Sequence, residues 1–237
     1  IVNSDTYQQS STRRAESDKI DPANQLFHRQ NRFRTEGEII RDLFLSISGL
    51  LKHKVGGPSV FPPIPKGVAE QSFAGSFKWS TSKGDDRYRR GMYTFFKRTA
   101  PDPNLITFDC PNANVTIAER NNSNTPIMAL ATLGNEVFHE SAQAFAKRIL
   151  SDKSCNNDHQ RIESAFFLCV ARKPSLQESG NVIKLLQKSR SYYEKNPEES
   201  TKIVGAHSCD MINDNETASW ITVTRILLNL DETISRE

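Results

Sequence analysis

Residues 125–150 read TPIMALATLGNEVFHESAQAFAKRIL, and this stretch sets the fold class. Thr125 is a capping residue and Pro126 suits the first turn of a helix, so one helix is expected from Pro126 through Leu133. Asn135 then opens a second, with Val137, Phe138, Ala142, Phe145, Ala146 and Ile149 on one face. Working outward, the same 3.6-residue period recurs. Ile162, Phe166, Phe167 and Val170 place a helix over 159–173, ending before Pro174. Ser175 caps a long amphipathic helix through Tyr193. Asn215 or Thr217 opens a last one with Trp220, Ile221, Val223, Ile226, Leu227 and Leu230; of these, Trp220, Ile226, Leu227 and Leu230 are expected to be buried against the helices bearing Phe166 and Leu185. The reading is a mainly α protein.

Upstream the pattern is less regular. The first 19 residues are polar and read as a loop or ordered tail. Asp21-Pro22 predicts a short helix to about Asn31. Thr35, with Glu38 as the reciprocal partner of a capping box, predicts a helix carrying Ile39, Ile40, Leu43, Phe44, Ile47, Leu50 and Leu51, stopped by Gly56-Gly57-Pro58. From Val55 to Gly84 there are five glycines and four prolines, with Phe61, Phe73, Phe77 and Trp79 among them. That composition predicts a long ordered loop pinned by aromatic anchors, with at most a small β-hairpin near Phe73–Ser80. The expected organisation is one domain over 1–237, a fragment of a larger protein beginning without a methionine. An irregular aromatic and basic segment (55–124) leads into a C-terminal helical part (125–237).

Composition narrows function by exclusion. A net charge of +3 does not by itself point to nucleic acid, and no run approaches the ~18 apolar residues of a membrane span. The mean hydropathy of −0.57 implies a polar surface around an economical core. No Cys-x-x-Cys-His is present, so this chain attaches no c-type haem of its own. Four dispersed cysteines do not make a disulfide-built scaffold. Cys155-x3-His159 and His207-x-Cys209 supply two thiols and two imidazoles; the spacing fits no standard zinc knuckle, and a Cys155–Cys209 disulfide is an equal alternative. No metal is assigned. His28, His53 and His139 stand alone, and no recognised catalytic signature occurs.

Two polar constellations remain. In the first, Asp85-Asp86-Arg87-Tyr88-Arg89-Arg90 is followed by Tyr93, Phe95, Phe96, Lys97 and Arg98. Cations interleaved with aromatics suit phosphate, a sulfated or acidic glycan or a single strand of nucleic acid; the favoured alternative is that the aspartates pair with neighbouring arginines while the rings enter the core. In the second, Asp109, Glu119, Arg120, Asn124 and Thr125 offer a candidate acid or base and a bidentate guanidinium, or else an Arg–carboxylate brace against the Thr125 helix start. The candidate ligand-binding residues are therefore Arg89, Arg90, Tyr93, Lys97, Arg98, Asp109, Glu119, Arg120, Asn124 and Thr125. Pro101 and Pro103 are expected to fold the 99–108 connection back so that Arg98 meets Asp109.

The chain also resembles a known family. Tyr88-Arg89-Arg90-Gly91-Met92-Tyr93-Thr94-Phe95-Phe96-Lys97-Arg98-Thr99, Gly56-Gly57-Pro58-Ser59-Val60, Phe108-Asp109, Asn124-Thr125-Pro126 and Leu227-Leu228-Asn229-Leu230-Asp231-Glu232 are similar to the planctomycete PSD-type domain of unknown function. One arginine of the family's basic set is replaced in the 109–113 stretch. The resemblance implies a periplasmic or extracellular multidomain protein in which cytochrome-c-like modules, carrying any haem, and carbohydrate-binding-like modules precede this domain. It implies no reaction. Two functional expectations follow: a non-catalytic accessory module of a redox or polysaccharide-processing protein, with an acidic glycan as possible ligand, and alternatively a glycan-acting enzyme using Asp109 and Glu119 with arginines gripping acidic groups.

Overall fold

A computed structural model describes residues 1–65, 78–209 and 212–236. The chain is 53% helical, with ten α-helices among the described residues and a single two-stranded sheet, so the mainly α reading holds. In order these are α1 (Ala15–Ile20), β1 (Phe33–Arg34), α2 (Gly37–Ser48), α3 (Pro103–Ile106), α4 (Pro126–Gly134), α5 (Glu136–Leu150), α6 (Asp158–Val170), α7 (Leu176–Lys195), α8 (Pro197–Val204), α9 (Asp214–Leu228), α10 (Asp231–Ile234) and β2 (Ser235–Arg236). Among the described residues, no helix is long and apolar enough to cross a membrane.

Two helices make the centre. Along α5, Phe138, Ala142, Phe145, Ala146 and Ile149 recur at helical spacing and all are buried. Along α9, Ala218, Trp220, Ile221, Val223, Leu227 and Leu228 are buried, more than one narrow face can hold, because α5, α7 and α8 surround it. Buried hydroxyls of α9 are satisfied: Thr224 Oγ1 donates to the Ala142 carbonyl of α5 at 2.9 Å, and Ser219 to the Asn215 carbonyl at 2.7 Å. Ile226 is 42% exposed and Leu230 only partly buried, so the apolar face of the last helix is narrower than its periodicity predicts. The layer opposite is α2, whose Phe44 meets Phe138 edge-on at 4.8 Å. Phe108, from the irregular middle, meets the same ring at 5.9 Å and ties that segment into the core.

The local signals held where caps and periodicity agreed. Thr125 is the N-cap residue of α4 with Pro126 first in the helix, although its side chain makes no capping bond. Ser175 and Glu178 form a full capping box at α7. Elsewhere competing bonds redirected the chain. The Asp21 carboxylate accepts from the Gln25 and Leu26 amides, and Asn24 and Phe27 take positive φ, so 21–31 is a chain of turns rather than a helix. The short α1 lies instead just before it. Thr35 does not cap α2: its amide and hydroxyl both donate to the carbonyl of Ile234, the last residue of α10, Glu36 takes the N-cap position, and Glu38 turns to Arg120. Gly49, in the left-handed conformation, ends α2 before the glycine pair does. The Asn196-Pro197 start of α8 was missed.

Residues 52–60 run beside 89–94 through two isolated parallel bridges. Phe61 stacks on Phe95 at 4.8 Å and meets Trp79 edge-on at 5.2 Å, so Phe61 and Trp79 act as aromatic anchors for the described ends of the long loop, while Phe73 and Phe77 lie outside the described residues. The hairpin expected near 73–80 falls largely outside the described residues. Gly91 seats this segment on α2: a Cβ there would stand 2.6 Å from the Glu38 carbonyl oxygen and 2.8 Å from its Cα. Only glycine permits that approach.

Trp220 is fully buried and donates its indole N–H to Glu216 at 2.9 Å. Trp220→Ala is expected to cost about 3–5 kcal/mol in chemical denaturation. Gly91→Ala, which collides with backbone, should cost about 1–3 kcal/mol or more. A Gly91→Ala protein as stable as the parent would show that the middle segment is not seated on α2.

Candidate functional site

The described structure separates the ten candidate residues into two groups. Arg89 is completely buried; its guanidinium donates to the carbonyls of Pro58, Gly56 and Lys54 and lies 3.8 Å from the centre of the Tyr93 ring. The Tyr93 hydroxyl in turn accepts from the Gly56 amide at 2.9 Å. Arg90 pairs with Asp42 of α2 at 2.8 Å. Asp85 and Asp86 meet Lys52 and Lys54 rather than neighbouring arginines, while Arg87 reaches Glu136 and Glu140. The basic-aromatic run is thus a set of braces between the middle segment, α2 and α5. Lys97 is half-buried and Arg98 exposed.

The second group converges. Phe33-Arg34 forms β1, held antiparallel to Ser235-Arg236 at the other end of the chain. This strand carries the Arg34 side chain, only 5% exposed, into a nest of acceptors: the Thr35 carbonyl at 2.8 Å, the Ser123 carbonyl at 2.5 Å, the Phe108 carbonyl at 3.4 Å and Asp109 Oδ2 at 2.5 Å. Asp109 follows α3 with φ of 60°, which turns its carboxylate back toward Ser123. There it accepts from the Ser123 amide at 2.9 Å and from the Ser123 hydroxyl at 2.8 Å. Asp109 therefore meets Arg34 and not Arg98. The local fold-back had the wrong cation, because β1 delivers a buried guanidinium from 75 residues upstream.

Around this pair the surface opens. A cavity of about 300 Å³ is lined by Phe33, Arg34, Glu36, Asp109, Glu119, Arg120, Asn121 and Asn122, among others. A second, of about 320 Å³, lies across β1 against Arg32, Asn122, Asn124, Asp231 and Ser235. Asp109, Glu119 and Arg120 thus share one cavity, Asn124 lines the next, and Thr125 begins α4. Arg120 is engaged by Glu38 at 2.9 Å and Glu36 at 3.3 Å. Asp231 accepts from Arg32 at 2.6 Å and Asn124 at 3.0 Å. Reading along the chain missed Phe33, Arg34, Asn121 and Asn122. The signal available was the alternation Arg32-Phe33-Arg34-Thr35, too short to call a strand without its partner.

Electrostatics follow the contacts. Burial alone would raise the Asp109 carboxyl, but the Ser123 amide and hydroxyl and the Arg34 charge outweigh it and hold Asp109 below its usual range. On α5, burial likewise opposes ionisation of Glu140, yet His207, Arg87 and Tyr88 bring it down to about 2. Asp102 is the opposite case. It is buried, and burial pushes it up to about 6 against the pull of the Asn104 amide and Arg41. Among the described residues no three potential metal ligands come together and no disulfide joins the four cysteines; Cys155 and Cys209 are both buried.

The family described as Protein of unknown function (DUF1553) matches residues 1–186. The chain belongs to this family. The match contains α2, the braced middle segment, the Arg34–Asp109 nest and every residue lining the first cavity; it ends within α7, so α9 and β2, against which these DUF1553 residues pack, lie beyond it. The Leu227–Glu232 motif also lies past the matched span. No curated protein and no solved structure gave a match.

Arg34→Met removes the donors from a buried nest and leaves Asp109 uncompensated; it is expected to cost about 3–5 kcal/mol. Arg98→Ala, on the exposed side, should cost less than about 1 kcal/mol. Urea denaturation of the two variants decides between Arg34 and Arg98 as the partner. In pH, the native state holds the extra proton on Asp102 between its unfolded value near 4 and its folded value of about 6, so stability should rise as pH falls from 7 toward 5. Glu140 and Asp109 act the other way, contributing fully above about pH 4.5 and losing that contribution as pH drops through their lowered folded values. Asp102→Asn should abolish the rise between pH 7 and 5 and leave the acid limb in place, as followed by melting at each pH.

Proposed function

We propose that this DUF1553 chain is a non-catalytic accessory module of an extracytoplasmic redox or polysaccharide-processing protein. In that setting its partners are cytochrome-c-like and other domains of the same polypeptide, which would carry any haem. The observation that supports the module reading is the engagement of Asp109. A glycan-cleaving pair requires one carboxyl whose pKa is raised so that it can donate a proton, and a second about 5–10 Å away. Asp109 shares its cavity with Glu119 but is tied to Arg34 and Ser123 and held as a carboxylate. It stabilises the loop between α3 and α4 in that state. Three of the four arginines of the candidate set, Arg89, Arg90 and Arg120, are committed to carbonyls or carboxylates of the fold in the same manner.

The alternative, a glycan-acting enzyme, is tested directly. Neutral and acidic polysaccharides incubated with the protein should release no new reducing ends above a boiled control. Release that is lost in Asp109→Asn or Glu119→Gln, with melting unchanged, would replace the module reading with the enzymatic one.

A further inference from the structure

We infer that the cleft on either side of β1 binds a neutral sugar ring, seated on Phe33; this rests on the non-catalytic reading of the same surface. The starting point is which groups around the two cavities still have bonding capacity to offer. Arg34 is taken by Asp109 and three carbonyls, Arg120 by Glu38 and Glu36, and Arg32 and Asn124 by Asp231. What is left is chemically uniform. Glu119, Asn121 and Asn122 line the first cavity and, among the described residues, their side chains have no hydrogen-bond or ion partner. Phe33 is 47% exposed and lines both cavities, as does Asn122.

The remaining groups discriminate among ligand classes. An anion entering the first cavity would meet the Glu119 carboxylate while both guanidinium groups there are already neutralised, which disfavours the acidic glycan expected from the arginine count. A metal ion finds no cluster of three ligands among the described residues. A wholly apolar molecule would strip water from two amides and a carboxylate without replacing those bonds. A neutral polyhydroxylated ring satisfies all of them. Each hydroxyl both donates and accepts, matching a carboxylate that only accepts and amides that do both. Its C–H face is apolar enough to cover the Phe33 ring, and an aromatic platform with a few convergent polar groups is the usual make-up of a small-molecule site. Because Phe33 and Asn122 belong to both cavities, of about 300 and 320 Å³, the pair suits two linked rings better than one.

Calorimetric titration and saturation-transfer NMR of the whole chain with glucose, galactose, mannose, cellobiose and glucuronate test this. At least one neutral sugar should bind with a dissociation constant of about millimolar, and cellobiose should bind at least as tightly as glucose. Phe33→Ala and Asn122→Ala should each weaken that binding by about tenfold. Should Phe33→Ala fail to fold, the exposed Asn121→Ala replaces it as the second variant. No binding of any neutral sugar at about 50 mM, a range that would reveal even interactions weaker than millimolar, overturns the inference. So does binding indifferent to the variants, or binding of glucuronate alone. Turnover of a bound sugar would instead remove the non-catalytic reading and leave the binding site standing, so the two failures are distinguishable.

Discussion

The buried Arg34 guanidinium is the constraint on which the candidate site depends. A cation this enclosed is tolerated only if its donors are met, and here one carboxylate and three carbonyls from separate stretches of chain do so. Meeting them fixes β1, the end of α3 and the residues before α4 relative to one another. Because Phe108 lies next to Asp109 and packs on Phe138, the same nest is anchored to the aromatic centre of the helical core. The cavities on either side of β1 take their shape from this nest, although most of the residues lining them belong to loops.

Arginine plays the same part elsewhere, with different energetics. Arg190 holds Asp158 of α6 and Glu216 of α9, and Arg172 holds Glu178 of α7 and Glu232 of α10. These are bidentate clamps at the surface, where solvent screens the charges and geometry counts for more than Coulomb energy. Among the described residues Arg89 meets no carboxylate and is held by backbone carbonyls and the Tyr93 ring. Buried cations met by backbone oxygen fold a glycine- and proline-rich segment that has little regular hydrogen bonding of its own. The described part of the middle segment is therefore held together by side chains to a degree that the helical part is not.

This division explains why the site was only half legible. Asp109, Glu119, Arg120 and Asn124 stood out because polar residues concentrated in an irregular stretch are unusual, and they do gather at the two cavities. Arg89, Arg90 and Tyr93 stood out for the same reason and proved to be braces, since a cation beside an aromatic ring reads alike whether it faces solvent or lies beneath a loop. Phe33 and Arg34 went unnoticed. Their environment comes from Ser235-Arg236, some 200 residues away, and no local pattern encodes a pairing of two-residue strands.

The amino-acid sequence by itself determined the helical class, the starts of α4, α5 and α7, and the apolar faces of α5 and α9. Caps and 3.6-residue periodicity are local, and each is set by residues within a few positions of one another. Tertiary structure alone decided which acceptor each polar group would find. Thr35 gave its hydroxyl to Ile234 instead of capping α2, Glu38 left the capping box for Arg120, and Asp109 took Arg34 in place of Arg98. Several partners are chemically equivalent for any one of these groups, so the choice belongs to whichever the packed core brings within hydrogen-bonding distance.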